Sequence, residues 1–236
     1  PSEFSVGQVH EMLVTLGKRG FSPEMAADVA NAKSGKANAI MGLFQQVVDI
    51  AAMVADWHSF YLTHFGLDVD FSSVRIPQQK SDFTRLLLIP KGLTPNKVVE
   101  AYQKLGIKTW LYTPDLDSAL DWTQEERDPH NGSYAIWVQD RQEADEENKG
   151  LSANQIAERR ITTETLTERL IHGLVYKLET CNHLDVNNIT FCVGSRFRDG
   201  SVPSADWRGG SVQVGVDWFS AVDSSSSLRA RAVVSA

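Results

Sequence analysis

Residues 194–236 read GSRFRDGSVPSADWRGGSVQVGVDWFSAVDSSSSLRARAVVSA, from Gly194 to Ala236. Within this stretch Val212, Val214, Val216 and Trp218 alternate with Gln213, Gly215, Asp217 and Phe219. A period of two marks a strand with one face on a core and the other toward solvent. Lys, Glu, Met, His and Asn are all missing here, although Lys and Glu are scattered through the preceding chain. The exposed positions are therefore drawn from a restricted alphabet.

The rest of the chain sets bounds on what that strand can serve. With 236 residues and 42% hydrophobic content, it can bury one large core or two small ones. The formal charge of −7 and pI near 5.4 argue against a nucleic-acid surface, which concentrates Lys and Arg to replace counterions on phosphates. No apolar run approaches the roughly 20 residues that span a bilayer, and no signal peptide is evident at Pro1 to Gly20. The expectation is a cytoplasmic protein. Cys181 and Cys192 match neither a disulfide framework nor a paired metal motif, and are expected to be reduced core thiols.

Residues 1–75 read as a helical module. Val6, Val9, Leu13 and Leu16 share one helix face; Ser22-Pro23-Glu24 gives an N-cap with Pro at the first helical position; Ile40, Leu43, Val47, Ile50 and Val54 continue a stripe, with Trp57 extending it. Such stripes form core or helix–helix contacts, so this module is expected to support a homo-oligomer. A polar stretch at 71–82 reads as a linker. Then follow a buried strand at Leu86 to Ile89, a helix capped by Thr94-Pro95 and stopped at Gly106, and a strand at Trp110 to Tyr112. This strand–helix–strand unit carries no GxGxxG or GxxxxGK[ST] phosphate cradle. Beyond it come a strand at Tyr134 to Val138, a short helix from Ser152 to Arg159, a longer helix ending at Cys181, and a strand at Ile189 to Val193.

Chemistry-bearing constellations are sparse. The acidic run Asp140, Glu143, Asp145, Glu146 and Glu147 lacks EF-hand spacing and reads as a solvated acidic helix start. None of the six histidines forms a helical HxxxH pair, and no zinc ligand set is recognisable. Ser195 is outside any GxSxG elbow. Asp128 with His130, and His183 with Asp185, lack a nucleophile beside them; His172 reads as structural. No catalytic residue, metal or cofactor is expected.

The order of strands and helices from about Phe83 onward resembles the C-type-lectin fold, an α+β arrangement over residues 76–236. Tyr134-Ala-Ile-Trp-Val, Glu143-Ala-Asp-Glu-Glu, Leu151-Ser-Ala-Asn-Gln, Thr167-Glu-Arg-Leu and Gly194-Ser-Arg, with the frame Val202-Pro203, Trp207, Val214, Val216, Trp218 and Leu228-Arg-Ala-Arg-Ala-Val-Val-Ser, look like a group of bacterial proteins. This group resembles the variable proteins of diversity-generating retroelements. In such systems template adenines are replaced, so that AAY codons become NNY, which never encode Lys, Glu, Gln, Met or Trp. Between Gly194 and Ala236 the departures from that alphabet are Trp207, Trp218 and Gln213.

The resemblance implies a non-catalytic protein whose variable surface binds a protein or other macromolecule. Taken with the alternation, it places ligand contact on Phe197, Ser201, Ser204, Asp206, Arg208, Gly209, Gly210, Gln213, Gly215, Asp217 and Phe219, with Ser224, Ser225 and Ser226 at the rim. Trp207, Val214, Val216 and Trp218 are expected to be buried frame. The rival readings are an enzyme related to formylglycine-generating enzymes, which use paired cysteines and metal ions, and a non-variable assembly protein. A calcium-dependent sugar binder is a weaker rival, since Glu-Pro-Asn and Trp-Asn-Asp are missing.

Overall fold

The computed structural model describes residues 5–31 and 35–236; the side chains of Val6, Leu43 and Val47, used above to phase the helical stripes, lie outside the described residues. The chain is mixed α+β and divides into two compact units, Pro1–Ala55 and Asp56–Ala236.

In the first unit, α1 (Val6–Gly17) and α2 (Pro23–Ala30) precede α3 (Lys36–Phe65), a 30-residue helix that continues into the second unit. The Oγ of Ser22 accepts a hydrogen bond from the Met25 amide, as its N-cap position predicts. Of the described residues of the α1 stripe, Val9, Leu13 (44%) and Leu16 are exposed, as is Met12 beside them (53%). Among the described residues no helix is long and apolar enough to cross a membrane.

The larger unit begins earlier than the expected boundary at residue 76, because aromatic residues on the last turns of α3 pack into it. Trp57 and Tyr61 are buried, and donate hydrogen bonds to the carbonyls of Leu86 (3.1 Å) and Leu88 (2.7 Å). These carbonyls belong to β1 (Arg85–Ile89), which pairs antiparallel with β3 (Tyr134–Val138); β3 pairs in turn with β8 (Val233–Ser235). The expected linker is also tied down: Phe71 is buried against Tyr61, and the Pro77 carbonyl accepts the indole N–H of the buried Trp137.

A second sheet has the order β2-β6-β5-β4-β7, from β2 (Lys108–Leu111), β4 (Ile189–Phe191), β5 (Val202–Arg208), β6 (Gln213–Phe219) and β7 (Leu228–Arg229). The helices of this unit follow local stop and start signals. Helix α4 (Pro95–Lys104) starts at Pro95, and a short α5 (Leu116–Ala119) is capped by Asp115. Helices α6 (Ala153–Glu158) and α7 (Leu166–Thr180) both open on capping boxes, Ser152 with Gln155 and Thr165 with Glu168, which satisfy otherwise orphaned amides reciprocally. Helix α7 packs against both β1 and β5 and joins the two sheets into one core.

That core is threaded by charge. Arg169, Asp185 and Arg231 are each at most 2% exposed. Asp185 holds Arg169 Nη2 at 2.7 Å and Arg231 Nη2 at 2.6 Å; the Arg231 Nε donates to Thr190 Oγ1, Nη1 to the Arg141 carbonyl and Nη2 also to the Gln142 carbonyl. Burial alone would raise the Asp185 carboxyl, but Arg231 and Arg169 outweigh it and hold the group below the usual aspartate range. The acidic run divides: Glu146 and Glu147 are exposed and open a short 3-10 helix, as a solvated acidic helix start would, but Glu143 and Asp145 are tied into the fold. Asp145 is 2% exposed and accepts the Ala232 amide, and Glu143 accepts the backbone and side-chain amides of Asn187 and Asn188.

Candidate binding face

Strand pairing assembles the face. In the antiparallel ladder of β5 and β6, Ser204 lies opposite Asp217, Asp206 opposite Gly215 and Arg208 opposite Gln213. On the other side of β6, β2 runs parallel with Trp110 beside Gly215 and Lys108 beside Gln213. Because paired residues share a face, Ser204, Asp206, Arg208, Gln213, Gly215, Asp217, Phe219, Lys108 and Trp110 stand on one side of the sheet. The opposite side carries Ala205, Trp207, Val214 and Val216, and Thr190 on that side bonds to Arg169 of α7. It is the core side: Ala205, Val214 and Val216 are buried.

One end of the outer face is covered. Phe191, Val193 and Val202 pack with Ala153 and Ile156 of α6 and with Leu228 and Ala230, and Phe219 meets Phe191 edge to face at 6.2 Å. The other end is open and polar. The Arg208 guanidinium lies 4.1 Å from the centre of the Trp110 ring, with Nε 3.3 Å from Asp206 and Nη2 3.0 Å from Asp217. This stacks a cation on an indole while two carboxylates fix its plane. Burial raises Asp206 above the usual aspartate range, and Arg208 only partly opposes it.

The expected contact residues divide accordingly. Asp206, Arg208, Gln213 and Asp217 are partly accessible on the open end, and Gly209 and Gly210 are exposed in the β5–β6 turn. Ser224, Ser225 and Ser226 are exposed in a separate turn before β7. Gly215 is on the right face but buried, because the Arg208 and Asp206 side chains lie across it; a Cβ there would come within 2.3 Å of Arg208 Nε. Phe219 is half-buried in the covered end.

Ser204 is fully buried beside Phe191. Phe197 is not a contact residue: it is 1% exposed, bridged to Leu120 and packed on Tyr112 at 4.9 Å. Ser201 is buried too, donating to Asp199 in a turn.

The frame assignments need correction as well. Trp218 is 47% exposed, because it lies two residues past Val216, the last residue of β6 paired with β2, and loses cover on that edge. Val212 is 60% exposed and sits in the turn with φ 54°. Trp207 is half-buried and stacked flat on His183 at 3.4 Å. Sequence reasoning missed Trp110 and Lys108 as members of the face. Their own strand signal is plain, but their place beside β6 depends on a parallel pairing that no local pattern announces.

No family model, curated protein or solved structure matches this chain.

Among the described residues, no group of three or more His, Cys, Asp or Glu side chains is placed to hold a metal ion. Cys192 is buried, but Cys181 is exposed, because it caps α7 in the left-handed conformation instead of ending on its core face. His172 is buried with its Nδ1 2.7 Å from Glu164. Asp128 and His130 pair within a surface turn. Ser195 is fully buried; it accepts the Leu166 amide at the start of α7 and donates to Glu125 at 3.0 Å.

Glu125 yields a test of the frame. Burial pushes its carboxyl up to about 8, with the Ser195 hydrogen bond opposing. A carboxyl raised in the folded state contributes stability that is intact below the ordinary glutamate range, and loses it as pH climbs toward the folded value. Glu125→Gln imitates the protonated form. Urea unfolding at pH 5 and pH 8 should therefore show a smaller alkaline loss in the variant, by on the order of 1 kcal/mol or more. An identical loss in both proteins would contradict the assignment.

Proposed function

We propose that this chain is a ligand-binding protein without catalysis, presenting a changeable face on a C-type-lectin-like scaffold in the manner of the variable proteins of diversity-generating retroelements. The observation that supports it best is the separation of roles along β5 and β6. Asp206, Arg208, Gln213 and Asp217 line the open end of one face, while Ala205, Val214 and Val216 are buried beneath the other. Residues on such a face can change within about 0.5 kcal/mol each, whereas overpacking the buried side costs about 1–3 kcal/mol per site. Trp110 lies outside the C-terminal stretch, so it supplies a fixed aromatic beside residues that vary, and Trp and Arg are the side chains that most often dominate protein interfaces. The ligand in this reading is a protein or other macromolecule. The exposed apolar residues of α1, Met12 and Leu13 among them, suit self-association of the N-terminal helices, and several copies of a weak site would then bind by avidity.

The reading is tested by two pools of displayed chains, one carrying random NNY codons at 206, 208, 213 and 217, the other at 203, 205, 214 and 216. Most members of the first pool should survive a protease challenge, and binders to a supplied protein target should be enriched from it. The second pool should collapse. Equal survival of the two pools, or no binders from the first, would count against the proposal.

A further inference from the structure

A second recess, apart from the sheet face, has the features of a small-molecule site. Its volume is about 320 Å3, at the lower end of what ligand pockets occupy. Arg75, Glu126, Arg127, Tyr134, Thr162 and Ser235 line it. Two of these are arginines in different states. Arg127 is a fixed wall: its Nε and Nη2 hold Glu168 at 2.7 and 2.8 Å, Nη2 also donates to the Thr163 carbonyl, and Nη1 meets Glu126 at 3.1 Å. A guanidinium has five N–H donors in a rigid fork, and those contacts leave one Nη1 donor uncommitted. Arg75 is exposed and has no hydrogen-bond or ion-pair partner among the described residues, so its whole fork is available. The hydroxyls of Thr162 and Ser235 also stand without side-chain partners among the described residues. The one acidic side chain in the lining is Glu126, 38% exposed and already engaged with Arg127, and the backbone of Ala236 lines the recess as well.

We propose that this recess binds a small oxyanion, a carboxylate or phosphate group on a metabolite-sized molecule, with Arg75 as its main counter-charge and Arg127 as a preset donor. Planar guanidinium forks match both groups bidentately. Glu126 opposes such a ligand by charge and by occupying Arg127 Nη1, so its removal should help binding. Side chains of this exposure can be exchanged without disturbing the core, which circular dichroism of each variant would verify.

The test is an NMR titration at constant ionic strength, with inorganic phosphate and with succinate as separate probes, on the parent chain, Arg75→Gln and Glu126→Gln. Saturable shifts should appear at Tyr134 and Thr162. Arg75→Gln should weaken binding by about tenfold, as expected for loss of a charge-assisted hydrogen bond, and Glu126→Gln should tighten it several-fold. A response to phosphate alone assigns a phosphate ester, and a response to succinate alone assigns a carboxylate. Saturation by neither probe, or affinities that the two substitutions leave unchanged, would overturn the proposal.

Discussion

Asp185→Ala is expected to cost about 3–5 kcal/mol of unfolding free energy, enough to leave a chain of ordinary stability largely unfolded. The carboxylate is the common counter-ion of Arg169 and Arg231, none of the three being more than 2% exposed. Without it two guanidinium groups keep their charge in the core. Arg231 would retain the carbonyls of Arg141 and Gln142, but these dipoles do not neutralise it. Charge, not side-chain volume, causes the loss, so the triple change Asp185→Ala, Arg169→Met, Arg231→Leu should recover most of it: buried ionic clusters are often no more stable than apolar replacements. Guanidinium denaturation of the single and triple variants measures both effects. A single variant within 1 kcal/mol of the parent would show that the network carries no such weight.

Gly194→Ala is the second large effect, expected at about 1–3 kcal/mol from overpacking against atoms that cannot yield. An added Cβ would lie 2.8 Å from the Thr163 carbonyl oxygen and 3.1 Å from the Glu164 carbonyl carbon and oxygen. Those are backbone atoms just ahead of α7. The Gly194 backbone cannot retreat easily, because its carbonyl accepts the Glu126 amide at 2.9 Å and its own N–H donates to Glu164. Gly210→Ala is the control, since nothing lies within 4 Å of a Cβ at that turn position. Thermal unfolding should separate the two variants by several degrees; equal midpoints would contradict the close approach.

Signals spanning a few residues were legible in the sequence. Ser22-Pro23 and Thr94-Pro95 mark helix starts because a first-turn proline and its preceding cap position are adjacent residues, although only Ser22 makes the side-chain cap bond and Thr94 makes none. The apolar runs Leu86 to Ile89 and Tyr134 to Val138 form strands at those positions. The period of two in β5 and β6 correctly separates Asp206, Arg208, Gln213 and Asp217 from Ala205, Val214 and Val216.

What failed depends on residues far along the chain. Phe197 and Ser204 have the spacing of outward residues, but Leu120, Tyr112 and Phe191 cover them. Trp218 keeps the phase of the frame and is exposed because its neighbouring strand ends first. Arg231 alternates like a surface residue and is buried because Asp185, Thr190 and two carbonyls meet four of its five N–H donors. Trp110 joins the face only through the parallel pairing of β2 with β6.

The measurement that bears most directly on the proposed function is the DNA sequence of the locus encoding this chain. The account predicts a near-repeat of the segment encoding residues 194–236, close to the gene and differing from it chiefly where the repeat carries adenine, with the differences falling on codons such as 206, 208 and 217 and sparing 214 and 216. A contiguous locus with no such repeat, or one whose differences fall mainly on the buried frame codons, would contradict it.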